Sequence, residues 1–248
     1  MSLMRLKQEW EELAQMDPFW AILTFPDRKF GKWKVDEFFH TGELEIKQVM
    51  KSTRPLGRPS GSESVLDFGC GVGRLTRALA GYFEKAYGLD ISGNMVARAR
   101  ELNQSYHNCQ FILNTENHLE IFTDGTFDMV YTNKVLQHIS SRKIIRDYLA
   151  EFLRVLKRRG LLVFQLLSYI PVRNRLQPRR RMYSWLRAVG ISERILYEKV
   201  GLHPLCANFI SQDEVIFYLR ALGGRILLVQ PDPNLTPAIQ IRHYYVTK

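Results

Sequence analysis

Residues 64–92 read SVLDFGCGVGRLTRALAGYFEKAYGLDIS. Ser64 to Phe68 is a short apolar run interrupted by one acid, Asp67, and reads as a buried strand. Gly69, Gly71 and Gly73 then alternate with Cys70 and Val72. Three glycines so close together let the backbone turn tightly and approach a ligand where a side chain would clash. Arg74 to Tyr82 sets Leu75, Ala78 and Leu79 at helical spacing, with Phe83 beside them. Ala86 to Leu89 is a second apolar strand, ended by Asp90. Strand, glycine loop, helix, strand and acid follow one another as in half of a nucleotide-binding α/β unit.

The spacing discriminates between nucleotides. A dinucleotide fingerprint needs G-x-G-x-x-G, whose third glycine packs helix on strand. Counted from Gly69 that place holds Arg74, and counted from Gly71 it holds Thr76. What stands in the chain is Asp67-x-Gly69-x-Gly71-x-Gly73, with Asp90 at the next strand end. This pattern resembles the class I S-adenosylmethionine-dependent methyltransferases of the small-molecule type. Another nucleotide-binding α/β protein is the alternative. Residues 123–139, TDGTFDMVYTNKVLQHI, add a second match. They resemble the FD-hydrophobic-V…VL-x-H stretch of many small-molecule methyltransferases. The N/D-P-P-Y/F motif of amino-methylating nucleic-acid enzymes is absent, its place being held by Tyr131, Thr132, Asn133 and Lys134.

The resemblance covers roughly residues 60–170 and 210–248. It implies a Rossmann-like α/β fold: a seven-stranded mixed sheet with helices on both faces and an antiparallel C-terminal edge hairpin. The remaining elements read accordingly. Ser92 to Ser105 is a helix capped by Ser92. Gln110 to Leu113 is strand three, Phe127 to Tyr131 strand four and Leu161 to Leu167 strand five. Ser141 to Leu156 is a helix, and Lys157 to Gly160 is the turn after it. Ser211 to Leu222 is a helix, followed by strands at Arg225 to Gln230 and Ile239 to Thr247 joined through Pro231 to Pro237.

For the site, the resemblance implies S-adenosylmethionine as cofactor and S-adenosylhomocysteine as product, with no metal. Asp67, Gly69, Cys70, Gly71, Gly73 and Arg74 would hold it from the first loop, the backbone of 69–73 taking the amino-acid end. Asp90 would accept the ribose hydroxyls, with Ile91, Ser92 and Met95 after it. Ile91 and the bend at Asn114, Thr115 and Glu116 would flank the adenine, although the usual acid is not cleanly placed in that bend. Asn133, Lys134 and Val135 would cross the top of the sheet where sulfonium and acceptor meet. His138 is the candidate general base, because an alcohol or phenol acceptor must lose a proton and imidazole titrates near neutrality. Bracing the loop is its alternative role. Tyr131 and Lys134 are weaker candidates, and His40 could enter from the N-terminal segment.

Length and composition bound the rest. The 248 residues suit one α/β domain with additions. No apolar run approaches the roughly 20 residues needed to span a bilayer. The charged, amphipathic start MSLMRLKQEWEEL is not a secretory signal. Cys70, Cys109 and Cys206 offer neither a disulfide framework nor zinc spacing, so a cytoplasmic location is expected. The net charge of +10 permits an anionic acceptor, nucleic acid or an acidic membrane surface.

Two segments fall outside the core pattern. Residues 1–60 read as a helical cap, with a helix ending at Asp17-Pro18, another over Val35 to Met50 and a polar linker at 51–62. Its aromatics, Phe19, Trp20, Phe30, Trp33, Phe38 and Phe39, either pack the cap or partly line a pocket. Residues 168–208 are an insertion carrying Arg173, Arg175, Arg179, Arg180, Arg181 and Arg187 among Tyr169, Tyr183 and Trp185. It is either a solvated surface or a cover that offers guanidinium groups to phosphate or carboxylate. The expected function is methyl transfer to a small-molecule acceptor, at oxygen of a sugar, lipid-linked or natural-product compound. An RNA methyltransferase and a cofactor-binding subunit without its own catalysis are the alternatives.

Overall fold

Alternation along the strands decides how the sheet is covered. The computed structural model of the chain describes residues 3–139, 141–232 and 239–248. Its N-terminal part forms α1 (Leu3–Met16), α2 (Pro18–Ile22) and α3 (Val35–Thr53). Asp17 caps α2 by accepting from the Trp20 N–H, and Pro18 opens the helix, where a missing N–H costs nothing. The core then runs β1 (Ser64–Phe68), α4 (Arg74–Leu79), β2 (Lys85–Asp90), α5 (Gly93–Leu102), β3 (Cys109–Leu113) and β4 (Phe127–Thr132). After it come α6 (Arg142–Val155), β5 (Leu156–Tyr169), α7 (Val172–Arg175), α8 (Pro178–Ala188), α9 (Glu193–Ile195), α10 (Gln212–Ala221), β6 (Arg225–Pro231) and β7 (Gln240–Thr247).

The seven strands lie in the order β3-β2-β1-β4-β5-β7-β6. The first five run parallel, and β7 is antiparallel to both of its neighbours. This is the expected Rossmann-like mixed sheet. The link between β6 and β7 falls largely on residues 233–238, outside the described residues. Successive side chains of a strand point to opposite faces. Leu66, Val130, Leu162 and Phe164 accordingly pack with Leu149 and Phe152 of α6 and Leu219 of α10. Val65, Met129, Leu161 and Val163 pack on the other face with Ile46 and Val49 of α3 and Leu75 and Leu79 of α4. So α3, read from the sequence as part of a cap, covers the sheet itself. It lies so close to α4 that a Cβ on Gly42 would come within 2.5 Å of the Arg74 carbonyl oxygen.

Lys157 to Gly160 is not a turn. The chain enters β5 directly at Leu156, with a bulge where Phe127 and Met129 pair with Leu156 and Leu161. Tertiary partners hold this stretch in the strand, with Arg159 left-handed in the bulge: Arg159 N–H donates to the Lys248 carbonyl, and Thr247 Oγ1 donates to that of Gly160. The insertion is equally ordered. Its helix α8 folds against α1, and the arginines expected to face solvent or a ligand partly serve that contact. Arg180 Nη2 lies 3.0 Å from Glu9 Oε1, and Arg187 Nη2 lies 3.3 Å from Glu12 Oε1.

One buried carboxylate fixes the start of β1. Asp128 Oδ2 accepts from the N–H groups of Glu63 and Ser64, both at 3.0 Å, and from Lys157 Nζ at 3.0 Å. Asp128→Ala orphans these donors, which costs about 1–3 kcal/mol for each buried group left without a partner. Urea unfolding should show that loss; a midpoint equal to that of the wild type would remove Asp128 from the fold's essential contacts.

Candidate active site

The glycine loop sits at the point where the sheet order turns outward on both sides of β1. That is where open α/β sheets leave a crevice beyond the strand ends. Gly69, Gly71 and Gly73 all have positive φ, at 77°, 54° and 85°. The loop also has no room for side chains. A Cβ on Gly69 would come within 2.3 Å of Val135 Cγ2, and one on Gly71 within 2.5 Å of Ile22 Cδ1. Asp90, at the end of β2, holds the loop in place: Gly71 N–H donates to Oδ2 at 2.8 Å and Ser92 N–H to Oδ1 at 2.9 Å.

A cleft of about 940 Å³, open solvent at its mouth included, lies over these strand ends. Of the residues expected to hold a ligand, Gly69, Cys70, Gly71 and Arg74 line it from the loop. Asp90, Ile91 and Asn114 line one side, and Asn133, Lys134, Val135 and His138 line the other. The remaining six do not line it. Asp67 is buried beneath the loop and accepts from Thr76 Oγ1 at 2.6 Å. Gly73 packs against Phe111 and Asn103. Ser92 caps α5 through the Met95 N–H, and Met95 is fully buried. Thr115 turns to Glu116, whose carbonyl accepts from Tyr148 Oη.

The apolar wall of the cleft comes from residues the motifs did not mark: Leu3, Leu6 and Trp10 of α1, Ala21 and Ile22 of α2, and Tyr148 of α6. The i, i+3, i+7 spacing of Leu3, Leu6 and Trp10 signals one helix face, but nothing in the sequence says what that face meets. The six aromatics singled out in the N-terminal segment do not line the cleft. Phe19, Trp20, Trp33, Phe38 and Phe39 pack with Leu13, Val72 and Tyr197, and Phe30 is exposed. His40 pairs with Glu43 on the outer side of α3.

Glu11 ties α1 to the core. It accepts from Ser92 Oγ and from the N–H groups of Gly93 and Asn94 at 2.7–3.0 Å, capping α5 from outside. Burial works to raise its pKa, and these bonds outweigh it, so the carboxyl lies below its ordinary value.

A second carboxylate, Glu45, lies under the cleft floor. It accepts from Arg74 Nη2 at 2.8 Å, Tyr131 Oη at 2.9 Å and Asn133 Nδ2 at 2.6 Å. Burial again pulls upward, and Arg74 and Lys134 hold it low. Its inward position on α3, in step with Gly42, Ile46 and Val49, was the available sequence signal. Lys134 takes a left-handed backbone (φ 61°) and donates its N–H to Gln165 Oε1. Desolvation at the cleft wall lowers its ammonium pKa.

His138 is fixed by its partners. Cys206 offers a carbonyl 2.6 Å from Nδ1, so Nδ1 carries the proton and donates. Nε2 is the accepting atom, 3.3 Å from the Gln137 amide nitrogen. Desolvation pushes the imidazole down to about 4, so it is neutral at pH 7. Burial raises Asp67 to about 7 and Asp90 to about 6.

The residues present fit an adenosine-type ligand with an amino-acid tail. A side-chain-free loop borders the cleft, a carboxylate stands at the end of β2, and the Asn133 carbonyl oxygen is buried without a protein partner. Fold and site together define a class I S-adenosylmethionine-dependent methyltransferase domain. The family model described as "Methyltransferase domain" matches residues 66–164 of the chain. It is similar to phosphoethanolamine N-methyltransferase 1 of Arabidopsis thaliana, with 30% identity over 127 residues, 45% of this chain and 25% of that protein. It is also similar to the mitochondrial ubiquinone biosynthesis O-methyltransferase of Dictyostelium discoideum, with 31% identity over 122 residues, 45% of this chain and 38% of that protein. The chain thus spans well under half the length of these relatives. The fold matches that of magnesium protoporphyrin IX methyltransferase from Synechocystis, crystallised with S-adenosylhomocysteine. That match has a TM-score of 0.63, 18% identity and 99% coverage of both chains.

Raised carboxyl values have a measurable sign. A group whose folded pKa exceeds its unfolded one adds stability that is complete below the unfolded value and lost as pH rises through the folded one. Asp67, at about 7 against an ordinary 3.8, therefore costs the ligand-free fold stability as pH rises from about 4 to about 7. Asp67→Asn should flatten the decline of Tm across that interval; parallel curves for variant and wild type would refute the assignment.

Proposed function

We propose that the domain transfers the methyl group of S-adenosylmethionine to an oxygen of a small-molecule acceptor such as a sugar, lipid-linked or natural-product compound. The observation that carries the reading is the cleft itself: a glycine loop and Asp90 on one side, and an aliphatic and aromatic wall from α1 on the other. When bound, the cofactor supplies an electrophilic sulfonium methyl. The chain's task is to hold the acceptor in line with it and keep water out, and near-attack alignment can supply roughly 7–11 kcal/mol. Residues 69–73 hold the amino-acid end, Asp90 accepts from the ribose hydroxyls, and Ile91 and Asn114 border the adenine. Leu6 and Trp10 exclude water.

His138 offers Nε2 as a neutral acceptor for the proton of an incoming hydroxyl that displaces the long 3.3 Å contact from Gln137. With its pKa near 4 it is a weaker base than one matched to pH 7, so positioning the hydroxyl is its larger contribution. An acceptor that is already anionic would need no base and would find the Lys134 ammonium at the cleft wall. The named relatives act at nitrogen and at oxygen, and the oxygen reading rests on His138. The RNA alternative loses ground because Arg180 and Arg187 are engaged with Glu9 and Glu12. The unpaired Cys70, Cys109 and Cys206 suit a reducing, cytoplasmic setting.

The first test is calorimetric titration with S-adenosylhomocysteine beside NAD. Saturable binding of the former alone is expected, reduced at least tenfold in Asp90→Ala; binding of NAD alone would overturn the reading. Tight cofactor binding without turnover on any screened acceptor would instead indicate a non-catalytic subunit. His138→Asn keeps an amide to donate to Cys206 but has no basic nitrogen. It should lower kcat by about tenfold or more, within the usual range for a lost proton-transfer group, and leave S-adenosylhomocysteine affinity within twofold. Unchanged kcat would leave His138 only the bracing of the 206–208 loop.

A further inference from the structure

Helix α8 buries Tyr183 against Leu196 and Leu202, with Leu186 beside them, yet keeps a second apolar stripe on its outer face. The residues it turns toward α1 are polar: Arg180 meets Glu9, Tyr183 Oη donates to Glu12 Oε2 at 3.1 Å, and Ser184 Oγ accepts from Arg5 at 3.1 Å. On the opposite side Arg181, Met182, Trp185 and Val189 lie along the outward face, Trp185 and Val189 four and eight residues after Arg181 and Met182 three before Trp185. Trp185 is 65% and Val189 59% exposed. The preceding turn adds Val172 and Leu176, 66% and 55% exposed. A surface helix ordinarily buries its apolar stripe and presents its charges to water. An apolar stripe presented outward marks a surface that meets something else.

The charge around the stripe selects the partner. Between Ile170 and Ser192 the chain carries Arg173, Arg175, Arg179, Arg180, Arg181 and Arg187, and no Asp or Glu. Arg173, Arg175, Arg179 and Arg181 are exposed. A tryptophan and aliphatic side chains set among arginines match the composition of helices that lie in the headgroup region of anionic membranes. A second copy of the chain would bring two strongly basic faces together, and juxtaposed like charges oppose association. No helix among the described residues is long and apolar enough to cross a membrane, so any contact is peripheral.

We infer that the outer face of α7 and α8 is a docking surface for an anionic lipid bilayer, with Trp185, Met182 and Val172 entering the headgroup layer and the exposed arginines pairing with lipid phosphates. The contact is separate from methyl transfer and can be tested without it. The full-length protein is sedimented with vesicles of phosphatidylcholine alone and of phosphatidylcholine mixed with phosphatidylglycerol. Wild type should partition onto the anionic vesicles at least about tenfold more strongly, as several arginines near such a surface imply. Added salt should weaken the binding. Met182→Ser with Trp185→Ser, both exposed, should reduce it about tenfold while the S-adenosylhomocysteine titration stays unchanged. Arg175→Glu with Arg181→Glu should abolish the preference for phosphatidylglycerol. Equal partitioning of wild type and the serine variant, or none by wild type, overturns the inference. So does concentration-dependent dimerisation or binding to single-stranded RNA that the serine variant loses, since either gives the face to a different partner.

Discussion

A hydrogen bond from the Gly71 amide to Asp90 ties the loop after β1 to the end of β2, and the same carboxylate accepts from the amide of Ser92 just beyond it. The amides of Gly69 and Cys70 add bonds to the Leu89 carbonyl, and together these hold three left-handed glycines in register with the strand tips. With them, Gly69 can pass Val135 and Gly71 can pass Ile22 at distances no side chain would permit. The same carboxylate opens onto the cleft, so the group that organises the loop is also available to a ligand. Its ionisation is costly in this half-buried place, which is why its pKa rises to about 6. Asp67, one layer deeper, bears a larger cost of the same kind and has Thr76 as its hydrogen-bond partner.

The core was legible because its signals are local. Strands β1 to β4 follow short apolar runs bounded by polar turns, and the Asp67 to Gly73 spacing points at one cofactor class. The loop residues that line the cleft were found for the same reason. What escaped reading depends on contacts far apart in sequence. Lys157 to Gly160 has turn composition, yet partners near the C-terminus keep it in the strand. Thr115 and Glu116 sit beside the expected site but turn away, since Tyr148 takes the carbonyl of that bend. The wall from α1 is a plain amphipathic helix in sequence, and its destination is set by Glu9, Glu11 and Glu12 finding partners more than eighty residues away.

Charge is divided unevenly over the molecule. Carboxylates of α1 and α3 reach inward, to α5, α8 and the cleft floor, and each gathers several donors. The surplus of arginine is left on the insertion. Two of those arginines close the structure by pairing with α1, and others remain at the surface. One segment thus fastens the N-terminal helix with its inner side and carries a concentrated positive field on its outer side. Its order in the structure follows from the first role and its unusual surface from the second.

The attachment of α1 has a corollary for how the cleft can vary. The carboxylates that fasten this helix occupy positions 9, 11 and 12, whereas the side chains that shape the cleft occupy positions 3, 6 and 10. Anchor and contour are therefore written in different residues of one short helix. Exchanging Leu3, Leu6 or Trp10 for other apolar groups can remodel the cavity while the fastening persists and the sheet is untouched. A fold built this way can keep its sheet and glycine loop intact while its cleft is reshaped by changes in a single peripheral helix.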